Sequence, residues 1–299
     1  MLGKRVRGDA PHWVITFADT SSLRCIVASV EAIRQKITFR VKKSESAYCM
    51  MIDTGDPGMT CCVSVRLQLD SITFKSSYSG EFEFCLDAKQ LMYSMDSPSA
   101  MHASLIVEGY PDTATICIRA RDPDQPSHED SATLSTYVDD DETPGLDNLE
   151  FDMIMEIDVT KLRELVKKAR KAHSEFLRVC IATKKFGPKE RSLVTLSVHG
   201  ETTHVSSFCN EMTKDVDGSM IVRAAMDCNT ESCDMDDADV RFKGTFPVEK
   251  IEGFVKNLQV RMISAKVANN MPIMLMHKLG ASDDEVSHIH FLVAPRFDD

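Results

Sequence analysis

Apolar and polar residues alternate along most of the chain, and this pattern predicts many β-strands. Segments such as HWVITFAD, KITFRVKK and HIHFLVAP alternate as half-buried strands do. Four other segments place apolar residues at helical spacing: residues 20–35, 87–95, 158–173 and 247–259. Asp87 and Asp158 stand at N-cap positions, and Pro247 suits a first helical turn. The pattern therefore predicts an α+β protein with four helices.

The order of these elements repeats once along the chain. Each half starts with a strand and a long helix, continues with several strands, and then has a short helix and more strands. Such a repeat predicts two similar domains. An acidic, proline-containing stretch separates them. We therefore expect a basic N-terminal arm at residues 1–11, a first domain at 12–138, a connector at 139–149 and a second domain at 150–299.

Charge changes this picture at one helix. The chain has 35 basic and 46 acidic residues and a net charge of −11, which argues against a protein that coats nucleic acid with its whole surface. The helical segment that follows Asp158 reverses this sign, because it has six cations and one acid, Glu164, which is too few acids to pair the cations at a spacing of four residues. This distribution favours contact with phosphates over a merely solvated helix face.

Motifs for catalysis are missing from the sequence. It contains no nucleophile elbow, P-loop, dinucleotide-binding glycine motif or zinc-protease motif. His288 and His290 share one face of a predicted strand, but no third ligand at suitable spacing completes a metal site. We therefore expect no enzymatic activity, no cofactor and no metal, although an α+β enzyme without a recognisable motif is an alternative of another class.

The cysteines and the apolar segments bear on the compartment. None of the ten cysteines forms a CxxC pair, and no secretion signal precedes the first domain, which favours reduced thiols in an intracellular protein. No apolar run approaches the roughly 20 residues that a membrane helix needs.

The C-terminal sequence carries a family resemblance. A proline-containing strand, ANNMPIMLMHKLG, precedes HIHFLVAPRFDD, which ends in an Ala-Pro turn, a basic residue, an apolar residue and an acidic tail. The stretch PGLDNLEFD resembles an interdomain connector, and MMIDTGDPG resembles a loop after an early strand. In this order, from about His12 to Asp299, the sequence resembles DNA sliding clamps of the proliferating cell nuclear antigen (PCNA) family.

The resemblance implies a fold and a function. Each of the two domains would consist of two βαβββ units, and usually three chains form a ring with helices lining the hole. Such a clamp encircles duplex DNA without reading its sequence, and it has no enzymatic activity. DNA polymerase, the clamp loader and other proteins dock on it through short clamp-binding peptides. The implied location is the nucleus or another intracellular site of DNA replication, including a viral replication compartment.

Three alternatives stay open within the clamp fold. The chain is either the subunit of a homotrimer, as in most clamps of this type, or one subunit of a checkpoint-type heterotrimeric clamp. A third possibility is a processivity factor that works as a monomer or dimer without closing a ring.

The resemblance also implies two sets of site residues. The cations expected to contact DNA are Arg24, Arg34, Lys89, Lys161, Arg163, Lys167, Lys168, Arg170, Lys171 and Lys256. The expected pocket for partner peptides consists of Met51 and Ile52 in an early loop, Pro144 and Leu146 in the connector, Pro272, and the terminal residues Leu292, Val293, Ala294 and Pro295. The alternating segments 131–138 and 203–210 are the expected edge strands of the ring contact.

Overall fold

The chain forms two compact units in the computed structural model. The model describes residues 10–17, 20–43, 47–69, 71–75, 80–96, 104–121, 129–138, 149–186, 189–198, 204–214, 220–223, 239–279 and 287–296. Unit 1 comprises Met1–Asp56, Val63–Pro144 and Lys278–Ile289, and unit 2 comprises Pro57–Cys62, Gly145–His277 and His290–Asp299. The main change from unit 1 to unit 2 comes after Pro144, at a position inside the segment 139–149. Two short segments are exceptions: Pro57–Cys62 belongs to unit 2, and Lys278–Ile289 belongs to unit 1.

Nine strands and two helices make up the first half of the chain. They are β1 (Trp13–Phe17), α1 (Thr20–Glu31), β2 (Lys36–Lys43), β3 (Tyr48–Gly55), β4 (Cys61–Gln68), β5 (Ser71–Phe74), β6 (Phe82–Asp87), α2 (Ala88–Met95), β7 (Ser104–Tyr110), β8 (Thr115–Arg121) and β9 (Glu129–Ser135). One sheet has the order β5-β1-β7-β8-β9, and β6, β2, β3 and β4 lie side by side in that order.

The second half repeats this order. Its elements are β10 (Met153–Asp158), α3 (Val159–Lys171), β11 (Phe176–Phe186), β12 (Lys189–Val198), β13 (His204–Lys214), β14 (Met220–Arg223), β15 (Asp239–Pro247), α4 (Val248–Val255), β16 (Met262–Val267), β17 (Ile273–Lys278) and β18 (His288–Val293). The strands β15, β11, β12 and β13 are neighbours, as are β14, β10, β16, β17 and β18. Each half thus contains two βαβββ units with one additional strand between them.

The inward positions of the alternating strands build the cores. The core of unit 1 includes the fully buried Ile15, Ile37 and Ile52. The core of unit 2 includes Phe242, Phe246 and Phe254, which are at most 2% exposed. In unit 2 the ring of Phe254 on α4 stacks on Phe291 of β18 with a centroid distance of 4.7 Å. The short helix α4 is therefore held by aromatic packing against the sheet.

The helices begin close to where the sequence predicts, and α1, α3 and α4 end earlier than predicted, whereas α2 ends at Met95 as expected. The segment 20–35 is helical only to Glu31, because the N–H groups of Ile33 and Arg34 both bond to the carbonyl of Val30 in a closing turn. The segment 247–259 is helical only from Val248 to Val255, and Pro247 is its N-cap rather than part of its first turn. Leu258 is still buried, although it lies beyond the helix end.

Two strand edges correspond to the expected edge strands. The strand β9 is the outermost strand of its sheet and pairs with β8 through Thr115↔Ser135 to Arg121↔Glu129. Residues His204–Asn210 of β13 pair with β12, whereas β14 pairs only with Glu211–Lys214. In the part of the chain that the structure describes, no strand covers the second edge of His204–Asn210.

Candidate functional site

The helix α3 carries the strongest basic surface of unit 2. The carboxylate of Asp158 caps its start by accepting hydrogen bonds from the N–H groups of Thr160 at 2.8 Å and Lys161 at 3.2 Å. Its apolar stripe is buried and consists of Leu162, Leu165, Val166 and Ala169. The opposite face is therefore directed to solvent, and its positions carry most of the lysines.

Four lysines, which we call the lysine face, lie along this solvent-exposed side: Lys161, Lys167, Lys168 and Lys171. Lys161 is close to Glu164, with an N–O distance of 3.8 Å. Within the described residues, Lys167, Lys168 and Lys171 are exposed and have no ion pair or hydrogen bond from their ammonium groups. Because their charges are not neutralised by neighbours, they are available for an anionic ligand such as a phosphate backbone.

The arginines of α3 are engaged differently, because they bind the neighbouring helix α4. The guanidinium of Arg163 donates to the carbonyls of Val255 at 2.9 Å and Lys256 at 3.3 Å, and also to that of Leu258. The carbonyls of Val255 and Lys256 lie at the C-terminal end of α4, where a cation is favourable, and Leu258 follows shortly after it. Arg170 donates to Glu252 of α4 through Nε at 2.8 Å and a terminal nitrogen at 2.6 Å. Both arginines therefore join α3 to α4.

In unit 1 an arginine also joins the long helix to the end of the short helix. Arg24 donates to the carbonyl of Met95, the last residue of α2, and to the carboxylate of Asp96 at 2.5 Å. Arg24 and Arg163 are each the fifth residue of their helix. Arg34 donates to the hydroxyl of Thr54 at 3.3 Å. The predicted DNA-contacting set therefore divides into arginines with intramolecular partners and lysines, among them exposed Lys89 and Lys256, that project to solvent.

A second candidate surface lies in unit 2 near the C-terminal strand. Buried Cys62, Met274 and Leu292 pack together, and the half-buried Leu149, Phe151 and Met276 pack against them. We call these six residues the C-terminal cluster. Half-buried apolar side chains in contact with one another form a surface to which the anchors of another protein can bind. The two methionines add a flexible lining that adapts to different anchors.

The C-terminal segment beside this cluster is fixed by its backbone. The N–H of Ala294 donates to the carbonyl of Thr60 at 2.8 Å, and the N–H of Arg296 donates to that of Thr245 at 2.8 Å. The guanidinium of Arg296 lies 4.5 Å from the centroid of the Phe176 ring. These contacts keep Ala294 and Pro295 half-buried and in a defined position.

The expected pocket residues only partly coincide with this cluster. Leu292 belongs to it, and Pro272 is half-buried just before β17. Pro144 and Leu146 lie outside the described residues. The sequence did not identify Cys62, Phe151, Met274 or Met276. The sequence gives one indication of this cluster: Met274 and Met276 are two residues apart in a strand segment and therefore lie on the same face of the strand.

Two assignments in this pocket need correction. Met51 and Ile52 lie within strand β3 and not in a loop, because the segment alternates and pairs with β2 through Arg40↔Met51. The alternation turns Ile52 into the core of unit 1, where its side chain is fully buried. Val293 is likewise fully buried. The side chains of Ile52 and Val293 therefore do not reach a surface where a peptide could touch them.

The half-buried thiols of Cys25, Cys117 and Cys180 do not have the properties of catalytic groups. Burial raises the pKa of Cys25 to about 11, and burial also raises the pKa of Cys117 and Cys180. These thiols stay protonated near neutral pH, whereas a nucleophilic cysteine needs a lowered pKa. In the described ranges, no three or more metal-ligating side chains come together. No described helix has the length and apolar character needed to cross a membrane.

Two solved structures of PCNA have a fold similar to that of this chain. The chain matches the crystal structure of PCNA from Entamoeba histolytica with a TM-score of 0.70 and 12% identity over 96% of this chain and 100% of that one. It matches PCNA from Thermococcus kodakaraensis with a TM-score of 0.68 and 13% identity over 95% of this chain and 100% of that one. No protein-family model and no curated protein matches the sequence. The chain has a PCNA-like sliding-clamp fold, and the predicted α+β clamp architecture is confirmed.

Proposed function

We propose that this protein is a DNA sliding clamp, a processivity factor that encircles duplex DNA and docks replication and repair proteins. The observation that carries the proposal is the lysine face, whose exposed lysines lack neutralising partners in a chain of net charge −11. An acidic body with one basic helix repels DNA everywhere except along that helix. With this fold, the arrangement fits a ring whose helices line the hole.

The chemistry of the lysine face suits sliding. Lysine ammonium groups contact phosphate oxygens, which are the same at every base pair, so these contacts position the protein without selecting a sequence. Each contact releases counterions and weakens as salt concentration rises. The ring holds the DNA topologically, while the lysines keep the duplex near α3. Catalysis requires no residue of this protein, because the docked partner supplies it.

The open strand edges support a ring of identical chains. Strand β9 ends one sheet, and His204–Asn210 of β13 pair with β12 alone among the described strands. Open strand edges tend to pair with other strands. Pairing of β9 from one chain with this part of β13 from the next would satisfy both edges and repeat around a closed homotrimer.

A checkpoint-type heterotrimer is the second candidate, and the helix pair of unit 1 favours it. The solvent-facing positions of α1 are mostly uncharged, so a ring of three such chains would have alternating basic and neutral helix pairs. A heterotrimer would let other subunits supply the missing cations. In the third candidate, a monomer or dimer, the lysine face alone would hold DNA.

Partner proteins would dock at the C-terminal cluster. A short peptide with apolar anchors on one helical turn would place them against Phe151, Met274 and Met276, and Ala294 and Pro295 would border its flank. DNA polymerase, the clamp loader and other proteins with clamp-binding peptides are the proposed partners. The proposed location is the nucleus or another intracellular site of DNA replication.

A topological experiment tests the clamp function. The purified protein, loaded onto a nicked circular DNA by a clamp loader or assembled around it, should stay bound at high salt and dissociate when the circle is cut. Light scattering on the protein alone should give a trimer mass. Retention that is the same on linear and circular DNA would contradict encirclement, and a monomer mass would favour the non-ring alternative.

Neighbouring proline substitutions test the ring contact. Successive residues of a strand direct their N–H groups to opposite sides, so of Val205 and Ser206 one N–H faces β12 and the other faces the open edge. Of Val205→Pro and Ser206→Pro, the variant that blocks the open edge should yield a folded monomer by light scattering and thermal melting. Trimers from both folded variants would refute this ring contact.

The peptide site is tested by shortening its exposed walls. Phe151→Ala together with Met276→Ala should weaken a clamp-binding peptide by at least tenfold, because a few buried anchors carry most of the binding energy. Tyr93→Ala, at an exposed residue of α2 in unit 1, is the control. Calorimetry with a peptide bearing two aromatic anchors and one aliphatic anchor measures the effect, and equal affinities would place the site elsewhere.

A further inference from the structure

The outer face of a sheet in unit 2 carries cations that the proposed clamp function does not use. In β11 the side chains of Leu177 and Val179 are buried, and α3 packs against this strand. Successive residues of a strand point to opposite faces, so Arg178 and Cys180 lie on the other face. Both are half-buried. This face is turned away from α3 and therefore from the lysine face.

The guanidinium of Arg178 lacks a counter-ion among the residues that the structure describes. Its Nε atom is buried and has no hydrogen-bond partner. No described carboxylate forms an ion pair with it. A cation that is partly withdrawn from water and left unpaired is unfavourable. An anion bound at this face would supply the missing partner.

Lys243 of β15 adds a second charge beside Arg178. It is exposed and stands directly opposite Cys180 in the strand register. Burial raises the pKa of Cys180, whereas the charges of Lys243 and Arg178 both act on it in the opposite direction, so both cations lie near this thiol. Lys243 has no ion pair within the described ranges. Two neighbouring cations without a counter-ion repel each other, and an anionic ligand relieves this repulsion.

A third cation on this side is stacked on an aromatic ring. The guanidinium of Arg296 lies 4.5 Å from the ring centroid of Phe176, which is two residues before Arg178 and on the same face of β11. The N–H of Arg296 donates to the carbonyl of Thr245, the residue directly opposite Arg178. Arg296 is exposed. Unpaired nucleobases stack on guanidinium planes and aromatic rings of this kind. We call Arg178, Lys243 and Arg296 the outer cations.

Basic positions continue along the same face towards the hairpin that joins β11 to β12. The register of these two strands is unbroken, and Lys184 stands opposite Arg191. Positions 178 and 184 are an even number of residues apart and so belong to one face. At about 3.4 Å per residue, the strand from Phe176 to Lys184 is about 27 Å long. A face of this length can contact several nucleotides of one strand.

We propose that the outer cations bind a single strand of DNA outside the proposed ring. Its phosphates contact Arg178 and Lys243, and one of its bases stacks on the guanidinium of Arg296. A flexible single strand can follow cations along a sheet, whereas a rigid duplex would bring few phosphates to them. An acidic peptide would match the charge but has no base to stack on Arg296. This face is a local exception to the acidic body, and its ligand binding does not depend on ring closure.

Fluorescence anisotropy with a labelled oligothymidylate of about ten nucleotides tests this site. The full-length protein is used with its lysine face changed to alanine, so that only other surfaces contribute. Arg178→Gln together with Lys243→Gln should then lower the slope of log affinity against log salt by about 1.4, and the affinity at 0.1 M salt should fall about twentyfold. Lys42→Gln together with Lys43→Gln removes the same charge from exposed positions of β2 and should change neither value. Equal losses in the two double variants, or no loss in the first, would overturn the proposal.

Stacking is tested separately from charge. Arg296→Lys keeps the charge but lacks the flat plane, so it should weaken oligothymidylate binding at least threefold without changing the salt slope. An unchanged affinity in this variant would refute the stacked single strand.

Two other anions serve as competing ligands: a duplex of the same length and a polyglutamate peptide. If either binds through Arg178 and Lys243 as tightly as the oligothymidylate does, the proposal is wrong. Thermal melting checks the fold of each variant. Should Arg178→Gln fail to fold, Lys243→Gln alone decides, with an expected decrease of the slope by about 0.7. Retention of the protein on circular DNA does not depend on these residues, so failure of this site and failure of the clamp function are distinguishable.

Discussion

The helix pairs of the two units share their internal contacts but differ in the charge that they present to solvent. In both, an arginine at the fifth position of the long helix binds the end of the short helix. Lys161 and Lys168 of α3 correspond by position to half-buried Ser22 and buried Ser29 of α1, and Lys171 corresponds to half-buried Ala32, which directly follows α1. Packing determines which residues occupy the buried sides of the helices. The exposed sides can carry residues that serve a function, and of the two long helices only α3 has this row of lysines.

The largest effect is expected from removing that charge. Changing Lys167, Lys168 and Lys171 to alanine should lower the slope of log affinity against log salt by about 2.7, and at 0.1 M salt DNA affinity should fall a few hundredfold. Fluorescence anisotropy with a short duplex over a salt series measures both. Lys89→Ala in unit 1 is the control and should change the slope by about one unit at most. An unchanged slope in the triple variant would mean that the lysine face does not contact DNA.

Transferring the charge to unit 1 should have the next largest effect. Ser22→Lys in α1 and Ala32→Lys directly after it place lysines at the positions that match Lys161 and Lys171, and both residues are partly exposed. If both units face the DNA in the same way, two new phosphate contacts should raise the affinity several tens of times at 0.1 M salt. The same salt series tests this, and no gain would indicate that α1 does not face DNA.

The arginine contacts should differ in their contribution to stability. Arg163 binds three carbonyls, whereas Arg24 binds one carbonyl and an exposed carboxylate. We expect Arg163→Ala to lower the free energy of unfolding by about 2–3 kcal/mol and Arg24→Ala by about 1–2 kcal/mol. Urea denaturation measures both. Arg163→Lys keeps the charge but not the forked geometry, so it should fall between wild type and alanine. Equal losses of unfolding free energy in Arg163→Ala and Arg24→Ala would contradict the expected difference between the two arginine contacts.

The smallest expected effect concerns the caps of the short helices. The N–H of Gln90 donates to Asp87 and lowers the pKa of this carboxyl below its ordinary 3.8. The cap of α2 therefore contributes stability above about pH 4 and loses it as the pH falls through the folded pKa. Pro247 gives α4 no side-chain cap bond, so the start of α4 lacks this dependence.

Asp87→Asn isolates this dependence, because asparagine still accepts the hydrogen bond but does not titrate. The variant should be about 0.5 kcal/mol less stable than wild type at pH 7, where the carboxylate also interacts with the helix dipole. This difference should shrink as the pH falls through the folded pKa of Asp87, which lies below 3.8. Urea denaturation at several pH values gives the result, and a difference that is independent of pH would exclude the titration of Asp87 as its cause.

The sequence predicted those features of the fold that depend on residues close together in the chain. Asp87 and Asp158 cap the helices that they were expected to cap. The end of α1 was missed because it depends on a backbone turn around Val30 that leaves no apolar signature. The strand β5 was missed because its short segment is half-buried or exposed throughout and so offers little contrast.

The candidate site was predictable only in part, for a similar reason. Unpaired lysines on one helix face are visible in the sequence. The partners of Arg24 and Arg163 are backbone carbonyls from distant segments, and a carbonyl has no sequence signature. The segment around Ile52 was predicted to be a loop, which would leave the Ile52 side chain at the surface. The segment is a strand instead, and the alternation of the strand turns this side chain into the core.

The matched arginines also say something about the history of the chain. Two halves with the same order of elements, each with an arginine at the fifth position of its long helix, are what duplication of one ancestral half would leave behind. On this reading the helix-joining contact is older than the charge difference, and the two copies diverged afterwards only where solvent tolerated it. A designer could therefore exchange the exposed residues of one copy for those of the other while the joint between the helices stays intact.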